Sequence, residues 1–457
     1  MKKAAALVVA ILVVFIAVAG GASYWLRIRA RDAYGALVEQ IARGGGIGVS
    51  DLKFHNGLLT TTATATLSPP GIPLHISLVS HIRPGPFPGI TRLNFMPGMG
   101  AVRTRLLLAS PLLPGLLPVT VHTMIYLAGN SVTTLDIPGY RHNAPGGKDI
   151  SWRMATGDIV AAADQKALHG RVDFPAIQVP GPHGTVSVSQ LAFHWGSVPL
   201  GMDQGRSSLS IGRVVASGPG GTFSVDGLDI TLDRQLRSGK LSVNVTAQGR
   251  VLGDGIGRYG PGRLSIRIRG LDARSLDGFE RSVRSLPANL SPHRREAETR
   301  AQLKTLLLAL SRGTPTLDVT KLSVVANGST VAGKGRFVMD GTNVGGSGYS
   351  GLLMSALSGS LDLLVPRSVV ADIATDDIRR QLDAYKSQGT LNPAEVRKLT
   401  PRKVAQIVRS ALPAYLDQVA TNWHLTAAGS NYTLSIAIKH GQVLANGQPL
   451  DRAPAAH

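Results

Sequence analysis

The chain contains no cysteine, which excludes disulfide bonds, thiolate metal sites, a cysteine nucleophile and a lipid anchor attached through cysteine. Aromatic residues make up only 5% of the 457 residues. The chain has 28 Asp and Glu but 48 Lys and Arg. The formal net charge of +20 favours an acidic partner. For an exported protein this partner is a lipid headgroup, lipopolysaccharide or the cell wall, whereas a cytosolic location would favour nucleic acid.

Charge is also missing from the N-terminal run Ala4 to Leu26. As a helix of 23 residues it would be ~35 Å long, enough to cross a hydrocarbon core of ~30 Å. The pair Tyr24-Trp25 near its end is typical of a membrane–water interface. Residues 1–30 are therefore predicted to be a transmembrane anchor, held in the bacterial inner membrane through residues 4–26. The alternative is a cleaved signal peptide.

The charges on either side of this segment nearly balance, because Lys2 and Lys3 precede it and Arg27, Arg29 and Arg31 follow it. A single N-terminal span usually exports the domain that follows it, and the remaining sequence has no second long apolar run. We therefore expect a single-pass protein whose C-terminal domain lies in the periplasm.

Short runs of alternating apolar and polar residues follow, separated by many of the 53 glycines and 27 prolines. The clearest runs begin at Thr60, Leu241, Leu264 and Tyr432. Such alternation is typical of strands with one buried and one solvated face. The predicted fold is mainly β, of the α+β class: the transmembrane helix, then long curved antiparallel sheets with two helical regions packed against them.

A faint internal repeat accompanies these runs. It consists of Thr, Val three residues on, Leu six on and an apolar residue eight on, and it begins at Thr185, Thr222 and Thr316. The intervals of 37 and 94 residues exclude a strict solenoid period. The repeat either marks stacked strand pairs of one long curved sheet or reflects only what amphipathic strands have in common.

Two regions show a helical period instead. The first covers about 276–310, and Pro287 and Pro292 are expected to divide it. Its later half places four leucines on one face: Leu303, Leu306, Leu307 and Leu310. We expect both helical regions to cover part of the sheet rather than carry chemistry.

The second helical region covers about 369–419. Ile378, Leu382 and Tyr385 form one apolar stripe in its first part. A capping residue followed by proline occurs twice, at Asn392-Pro393 and Thr400-Pro401. After the second cap, four residues recur at helical spacing: Val404, Ile407, Val408 and Ala411.

The predicted organisation has four parts. The anchor (1–30) precedes an N-terminal β-rich part (31–170). Repeated β units with a helical insertion at about 275–311 form the third part (171–345). Helices and a C-terminal β-hairpin form the last part (346–457).

Two glycine-rich segments approach nucleotide-binding motifs. Gly255 to Gly260 matches G-x-G-x-x-G, but Pro261-Gly262 and a strand follow where a pyrophosphate needs the start of a helix. Gly328 to Gly335 approaches a P-loop, but Gly335 stands where Ser or Thr must hold magnesium, and a strand follows. Neither segment is predicted to bind a nucleotide.

The twelve histidines are scattered and form no H-E-x-x-H motif. His81, His194 and His424 stand in apolar or aromatic surroundings and are predicted to be ordinary core or surface residues. Asp376-Asp377 is expected in the first turn of a helix, where the helix dipole accounts for it. The sequence therefore predicts no catalytic residue, no metal site and no cofactor.

Three segments match family patterns in the same order along the chain. They are Asn56 to Ala63, His81 to Pro88, where Arg83 and Pro84 depart from the pattern, and the closing Ile438 to Pro449. Together with residues 271–276 and 306–317, they resemble the YdgA family of single-span envelope proteins of proteobacteria. The resemblance implies an anchor with its N terminus in the cytoplasm and a largely β periplasmic domain. It brings no catalytic residues, because the family has none established.

The sequence thus predicts a non-enzymatic, basic, β-rich scaffold or binding protein of the cell envelope. Its partner is lipid, another amphipathic component, an envelope protein or a second copy of the chain, and not nucleic acid. One alternative is an envelope hydrolase with a dispersed site, in which a His reaches a Ser and a carboxylate. The other is a basic nucleic-acid binder, which requires a cytosolic C-terminal domain.

Overall fold

The computed structural model describes most of the chain after residue 47. The described residues are 48–57, 60–68, 75–85, 98–110, 113–142, 150–163, 168–181, 184–196, 205–218, 221–253, 258–286, 291–339, 348–387, 400–439 and 441–449. The predicted anchor and the predicted Asn392-Pro393 cap lie outside them. Among the helices that the structure describes, none is long and apolar enough to cross a membrane.

The fold is mainly β, as predicted. The strands are β1 (Gly48–Asn56), β2 (Thr61–Ser68), β3 (His75–Pro84), β4 (Gly98–Ser110), β5 (Leu113–Tyr126), β6 (Ser131–Ile137), β7 (Tyr140–His142), β8 (Ile150–Trp152), β9 (Ala155–Ala161), β10 (Leu168–Gly181), β11 (Gly184–Gly196), β12 (Gly205–Gly218), β13 (Gly221–Arg237), β14 (Lys240–Gly249), β15 (Val251–Gly253), β16 (Arg258–Asp272), β17 (Thr316–Ala326), β18 (Ser329–Met339), β19 (Leu357–Pro366), β20 (Thr426–Ala428), β21 (Asn431–Lys439), β22 (Gln442–Ala445) and β23 (Gln448–Pro449). The helices are α1 (Ala273–Arg284), α2 (Pro292–Ser311), α3 (Gly348–Ser355), α4 (Arg367–Ser387) and α5 (Pro401–Asn422).

The chain divides into two compact units. The N-terminal unit comprises residues 1–212 and 280–299, and the C-terminal unit comprises residues 213–279 and 300–457. The division into four parts drawn from the sequence stays a prediction.

The N-terminal unit contains an antiparallel sheet in the order β1-β2-β3-β4-β5-β6-β9-β10-β11. The hairpin β7–β8 precedes β9, and β8 pairs with the second half of β10. One face of β2 and β3 is almost fully buried; its residues are Thr61, Ala63, Ala65, Leu78, Ser80 and Ile82. The Ser80 hydroxyl shares a 2.8 Å hydrogen bond with Thr104 of β4, so this buried polar group is paired.

The C-terminal unit contains a second antiparallel sheet, in the order β13-β14-β16-β17-β18-β19-β21-β22-β23. Strand β15 continues the line of β14 beyond Arg250 and pairs with β13 and β16. Asn327-Gly328 and Asn446-Gly447 join tight hairpins. Their φ angles of 48°, 78°, 47° and 84° are all positive, as a type I′ turn requires.

Helices contact both ends of the C-terminal sheet. Leu307 of α2 and Leu352 of α3 form a buried cluster with Ala356, and Met339 at the end of β18 packs against it. These contacts lie where β18 ends and β19 begins.

The opposite end of the same strands contacts α4. Asn327 Nδ2 donates to Asp372 Oδ2 at 2.8 Å, and the Ser329 and Ser368 hydroxyls lie 2.9 Å apart. These bonds hold the start of α4 against the β17–β18 turn.

The strand and helix predictions are largely confirmed. The four alternating runs lie in β2, β14, β16 and β21. The first helical region consists of α1 and α2, and Pro292 is the first residue of α2, a position where its missing N–H costs nothing. Of the four leucines predicted on one face, Leu306, Leu307 and Leu310 are buried, and Leu303 is half-buried against the cluster that contains Leu307. Thr400 caps α5, since its hydroxyl accepts from Lys403 N at 3.3 Å.

One placement is wrong. Asp376-Asp377 does not lie in a first helical turn, because α4 begins at Arg367 and the pair falls in its middle. Asp377 instead accepts a hydrogen bond from the Tyr415 hydroxyl of α5 and joins the two helices. Helix α3 was not predicted at all.

The internal repeat has a different basis from the predicted strand pairs. Each copy lies within one strand, β11, β13 or β17. The sixth residue of the first two copies, Gln190 and Gly227, has positive φ, 54° and 63°. In the third copy, the pairing register shifts between Val319 and Leu322, around its sixth residue Lys321. The repeat therefore marks a strand with a local irregularity of the bulge type.

Candidate functional site

Three neighbouring cross-strand rows form the apolar face of the C-terminal sheet. Directly opposed residues of antiparallel strands point to the same face, so the pairing register defines each row. The first row is Ile230, Ala247, Leu264, Leu322, Gly333, Leu363 and Leu434. The second row is Leu232, Val245, Ile266, Val319, Gly335, Leu361, Ile436 and Ala445. The third row is Arg234, Val243, Ile268, Leu317, Phe337, Gly359, Ile438 and Val443.

These apolar rows are not closed into a core. Of their positions, only Val319, Gly333, Leu434 and Ala445 are buried, and all the others are half-buried. With strands spaced ~4.8 Å apart, eight strands extend the rows over roughly 34 Å. None of these side chains is fully exposed, but together they leave a strip of partly accessible apolar surface across the sheet.

Glycines bring the leucines of this face close to the backbone. A Cβ at Gly333 would lie 2.6 Å from Leu363 Cδ2 and 3.1 Å from Leu322 Cδ2. A Cβ at Gly335 would lie 2.9 Å from Leu361 Cα. Because the two glycines have no side chain, leucines of the neighbouring strands pack directly over the backbone of β18 in the middle of the apolar rows.

Arg234 is the one charged residue within the three rows. Its neighbours on the same face are Leu232 and Leu236 on β13 and Val243 opposite on β14. Within the described part of the protein, its Nε atom is buried and has no hydrogen-bond partner. A buried donor on a guanidinium, which stays charged, calls for an acceptor. An anionic group bound at this end of the apolar rows would supply it.

An open groove of about 1400 Å³ runs along this part of the sheet, and polar residues of the opposite face line it together with Leu322, Gly333, Leu363 and Leu434 of the first apolar row. One cross-strand row forms its floor: Asp229, Gln248, Arg263, Ser323, Ala332, Leu364 and Thr433. The charges along it are mixed, since Lys321 and Lys334 accompany Asp362, which accepts from Ser435 Oγ at 2.6 Å. The described lining contains no histidine, and its carboxylates are Asp229 and Asp362.

The structure does not bring the three singled-out histidines together. His81 is exposed on the polar face of the N-terminal sheet, where its Nδ1 lies 3.3 Å from Thr62 Oγ1. His194 lies in the same cross-strand row, six strands away, roughly 29 Å by strand spacing. His424 belongs to the C-terminal unit, where its carbonyl accepts from Asn446 Nδ2 at 2.5 Å.

Two histidine–hydroxyl contacts on the N-terminal sheet bear on the hydrolase alternative, and the first joins His81 and Thr62. A second histidine–hydroxyl contact joins Ser68 Oγ and His75 Nδ1 at 3.5 Å, and no described carboxylate hydrogen bonds to the ring of His75 or His81. No group of three or more potential metal ligands clusters in the described ranges. The absence of catalysis and of a cofactor stays a prediction.

The two glycine-rich segments lie on strands where the structure describes them. Gly328 to Gly335 forms the β17–β18 turn and the start of β18, as predicted, and no helix begins there. In the other segment, residues 254–257 lie outside the described residues, and Gly260 lies in β16. A phosphate would find no helix N-terminus at either described part.

The cross-strand rows were not predicted because they depend on the pairing register between strands. The alternation within each strand showed which residues share a face, but no pattern within a strand shows which residues of other strands lie opposite. The rows, and the place of Arg234 within them, therefore emerged only from the paired strands.

Comparison with known families identifies the chain. Searches among curated proteins and among solved structures gave no match. A model of the family described as a bacterial protein of unknown function, DUF945, matches residues 1–453. The chain therefore belongs to the bacterial family DUF945.

Proposed function

We propose that this protein is a non-catalytic binding protein of the bacterial cell envelope that holds an amphipathic lipid against the apolar rows. The half-buried state of these rows is the observation that carries the proposal. Covering apolar surface stabilises a complex by about 25 cal/mol per Å². An acyl chain is long, apolar and flexible enough to lie along a surface of roughly 34 Å.

Arg234 favours a lipid with an anionic headgroup. Phosphate and carboxylate accept two parallel hydrogen bonds from a guanidinium, which makes them its preferred partners. An anionic headgroup at Arg234 would satisfy the buried Nε. The acyl chains would then extend over the rows toward β22.

The location in the envelope is part of the proposal. It is supported by the uncharged run of residues 4–26 and by the resemblance to YdgA proteins, a finer assignment than the family DUF945. A reporter that is active only outside the cytoplasm, fused after residue 457, tests it. Activity supports a periplasmic domain, and inactivity together with an active cytosolic reporter would favour the nucleic-acid alternative.

Lipid analysis of matched variants tests lipid binding. Ile266 and Leu361 lie in the second apolar row, while their neighbours Ser265 and Ser360 lie on the opposite face. The full chain, purified from native membranes, is compared as an Ile266→Asn/Leu361→Asn variant and a Ser265→Asn/Ser360→Asn control. We expect mass spectrometry to show less bound lipid per protein in the first variant only.

Other outcomes separate the alternatives. Equal lipid content in the wild type and both variants, all with native circular dichroism, contradicts lipid binding by the rows. Another protein can serve as the readout in place of lipid. If such a protein co-purifies with the wild type and is lost only from the Ile266→Asn/Leu361→Asn variant, the apolar rows bind a protein partner and not a lipid.

A further inference from the structure

The polar face of the N-terminal sheet carries a concentration of basic side chains on strands β1 to β5. Two neighbouring cross-strand rows define it, called here the basic rows. The first is His55, Thr62, His81, Arg103 and His122. The second is Lys53, Thr64, Val79, Arg105 and Thr120. No carboxylate occupies any of these positions.

The basic side chains of these rows are accessible. Lys53, His55, His81, Arg103 and Arg105 are all exposed. Opposed Cβ atoms in such rows lie about 5 Å apart, and rows on one face lie ~6.8 Å apart. The Thr62–His81 contact of 3.3 Å confirms that neighbouring side chains of a row touch.

The charge changes sign farther along the same rows. Beyond β5 they continue to Asp136, Asp158 and Asp173 on β6, β9 and β10. Arg171, which stands between them, is paired with Asp173 at 2.5 Å, and this hydrogen bond raises the pKa of its guanidinium. The basic rows are therefore a local feature and not only a consequence of the overall charge of +20.

Position along the chain indicates what these rows face. Strand β1 begins at Gly48, 22 residues after the uncharged run ends at Leu26, so among the described strands it is the one nearest in sequence to the proposed anchor. Cationic side chains held near a bilayer are attracted to anionic lipids over about a Debye length, ~8–10 Å at physiological salt. The basic rows are positively charged and exposed, and the proposed anchor would hold them near the bilayer.

We propose that the basic rows dock the N-terminal sheet onto the anionic phospholipid surface of the membrane that carries the anchor. This inference shares only the anchor with the proposed function and does not depend on lipid binding by the apolar rows. Docking would fix the orientation of the N-terminal unit toward the bilayer.

The absence of cysteine provides a clean test in the full chain. In a Thr64→Cys variant, the single cysteine lies within the second basic row and is labelled with a fluorophore. The labelled protein is reconstituted in nanodiscs. The lipids carry a quencher on their headgroups. We expect quenching in nanodiscs with anionic phospholipid, little quenching in purely zwitterionic ones, and a decrease as salt rises.

Charge variants test which residues dock. Arg103→Gln/Arg105→Gln removes two cations from the rows. Arg269→Gln/Arg336→Gln is the matched control, because both arginines lie on the C-terminal sheet beside Asp318, at 2.6 and 3.5 Å. An arginine near an anionic surface contributes about a fivefold preference, so we expect the docked-to-free ratio to fall about 25-fold in the first variant and to stay unchanged in the control.

Three results of these experiments would overturn the proposal, each for a different reason. Failure of the full chain to enter nanodiscs of any composition overturns the anchor and with it the docking. Insertion with equal quenching in anionic and zwitterionic nanodiscs overturns the docking alone. Equal loss in both charge variants shows a general charge effect and also overturns it.

Discussion

The two sheets follow the same plan of sequential antiparallel strands, but the apolar face of strands β2 and β3 in the N-terminal sheet differs from the apolar rows of the C-terminal sheet. On β2 and β3 of the N-terminal sheet, small side chains close the face, with Ala63 at 1% and Ser80 at 0% exposure. On the C-terminal sheet, most large apolar residues of the three rows stay half-buried. Large apolar side chains gain most from being covered, so leaving them accessible costs stability that a ligand would restore. This difference supports the proposal that the rows of the C-terminal sheet bind a ligand, whereas the closed face of β2 and β3 stabilises the fold.

The largest expected effect comes from overfilling the closed face. Ala63→Leu inserts three carbon atoms into a fully buried site and should lower the free energy of unfolding by about 2–3 kcal/mol. The matched change Ala247→Leu adds the same atoms to the half-buried first row and should stay within about 0.5 kcal/mol. Urea unfolding followed by circular dichroism measures both. Equal losses would remove the contrast between the two sheets.

A smaller loss should follow when the buried hydroxyl pair of the N-terminal sheet is broken. Ser80→Ala leaves Thr104 without its 2.8 Å partner and should cost about 1–2 kcal/mol. Thr433→Ala on the open polar face of the C-terminal sheet is the control, and we expect it to cost less than about 0.5 kcal/mol. A control loss as large as that of Ser80→Ala would count against the distinction.

A change at Asp272 should lower the stability of the C-terminal unit without affecting ligand binding. Asp272 precedes α1 and accepts from Ser275 Oγ at 2.8 Å and Ser275 N at 2.9 Å. These hydrogen bonds, with Lys240 nearby, hold the pKa of its carboxyl below the ordinary value. Asp272→Ala should cost about 1 kcal/mol at pH 7, as loss of a helix cap does, and leave bound lipid unchanged.

The sign of the Asp272 effect with pH follows from the lowered pKa. The carboxylate stabilises the fold above its unfolded pKa of about 4, and the gain disappears as pH falls through the lower folded value. The difference in stability between wild type and Asp272→Ala should therefore be constant from pH 7 to 5 and shrink below about pH 4. A difference that persists at pH 2 would contradict this assignment.

The smallest effect on stability should accompany a change in ligand preference. Arg234→Met removes the buried unpaired Nε from the apolar face, so the free energy of unfolding should change by less than about 0.5 kcal/mol. The ratio of anionic to zwitterionic lipid bound should fall about tenfold, the effect of losing ~1.4 kcal/mol. Arg237→Met, an exposed arginine on the same strand, is the control. An unchanged ratio of anionic to zwitterionic lipid would contradict a role of Arg234 in ligand binding.

Much of the fold could be predicted because its signals are local. The alternation of Tyr432 to Lys439 gave β21, the leucines 306, 307 and 310 gave the buried face of α2, and Thr400-Pro401 gave the start of α5. Helix α3 was missed because its eight residues, Gly348–Ser355, are too short and glycine-rich to show a period. Asp376-Asp377 was misplaced in a first helical turn because Arg367–Ser387 form one continuous helix, and the pair falls in its middle.

The candidate sites could not be predicted because they depend on partners far away in sequence. Arg103 and His81 are opposed only through the register of β3 and β4, and Arg234 joins an apolar face only through β14 and β16. A slip of one residue in any strand would move its side chains to the other face. Such pairing is a tertiary property that no single window of the sequence contains.

Photo-crosslinking at neighbouring positions tests the central claim most directly. Ile266 lies in the middle of the second apolar row, and Ser265 points to the opposite face of the same strand. A diazirine amino acid is placed at each position in turn, and the full chain is irradiated in native membranes. The account predicts lipid adducts at position 266 and none at 265. Adducts at both positions in equal yield, or at neither while the protein is folded, would contradict it.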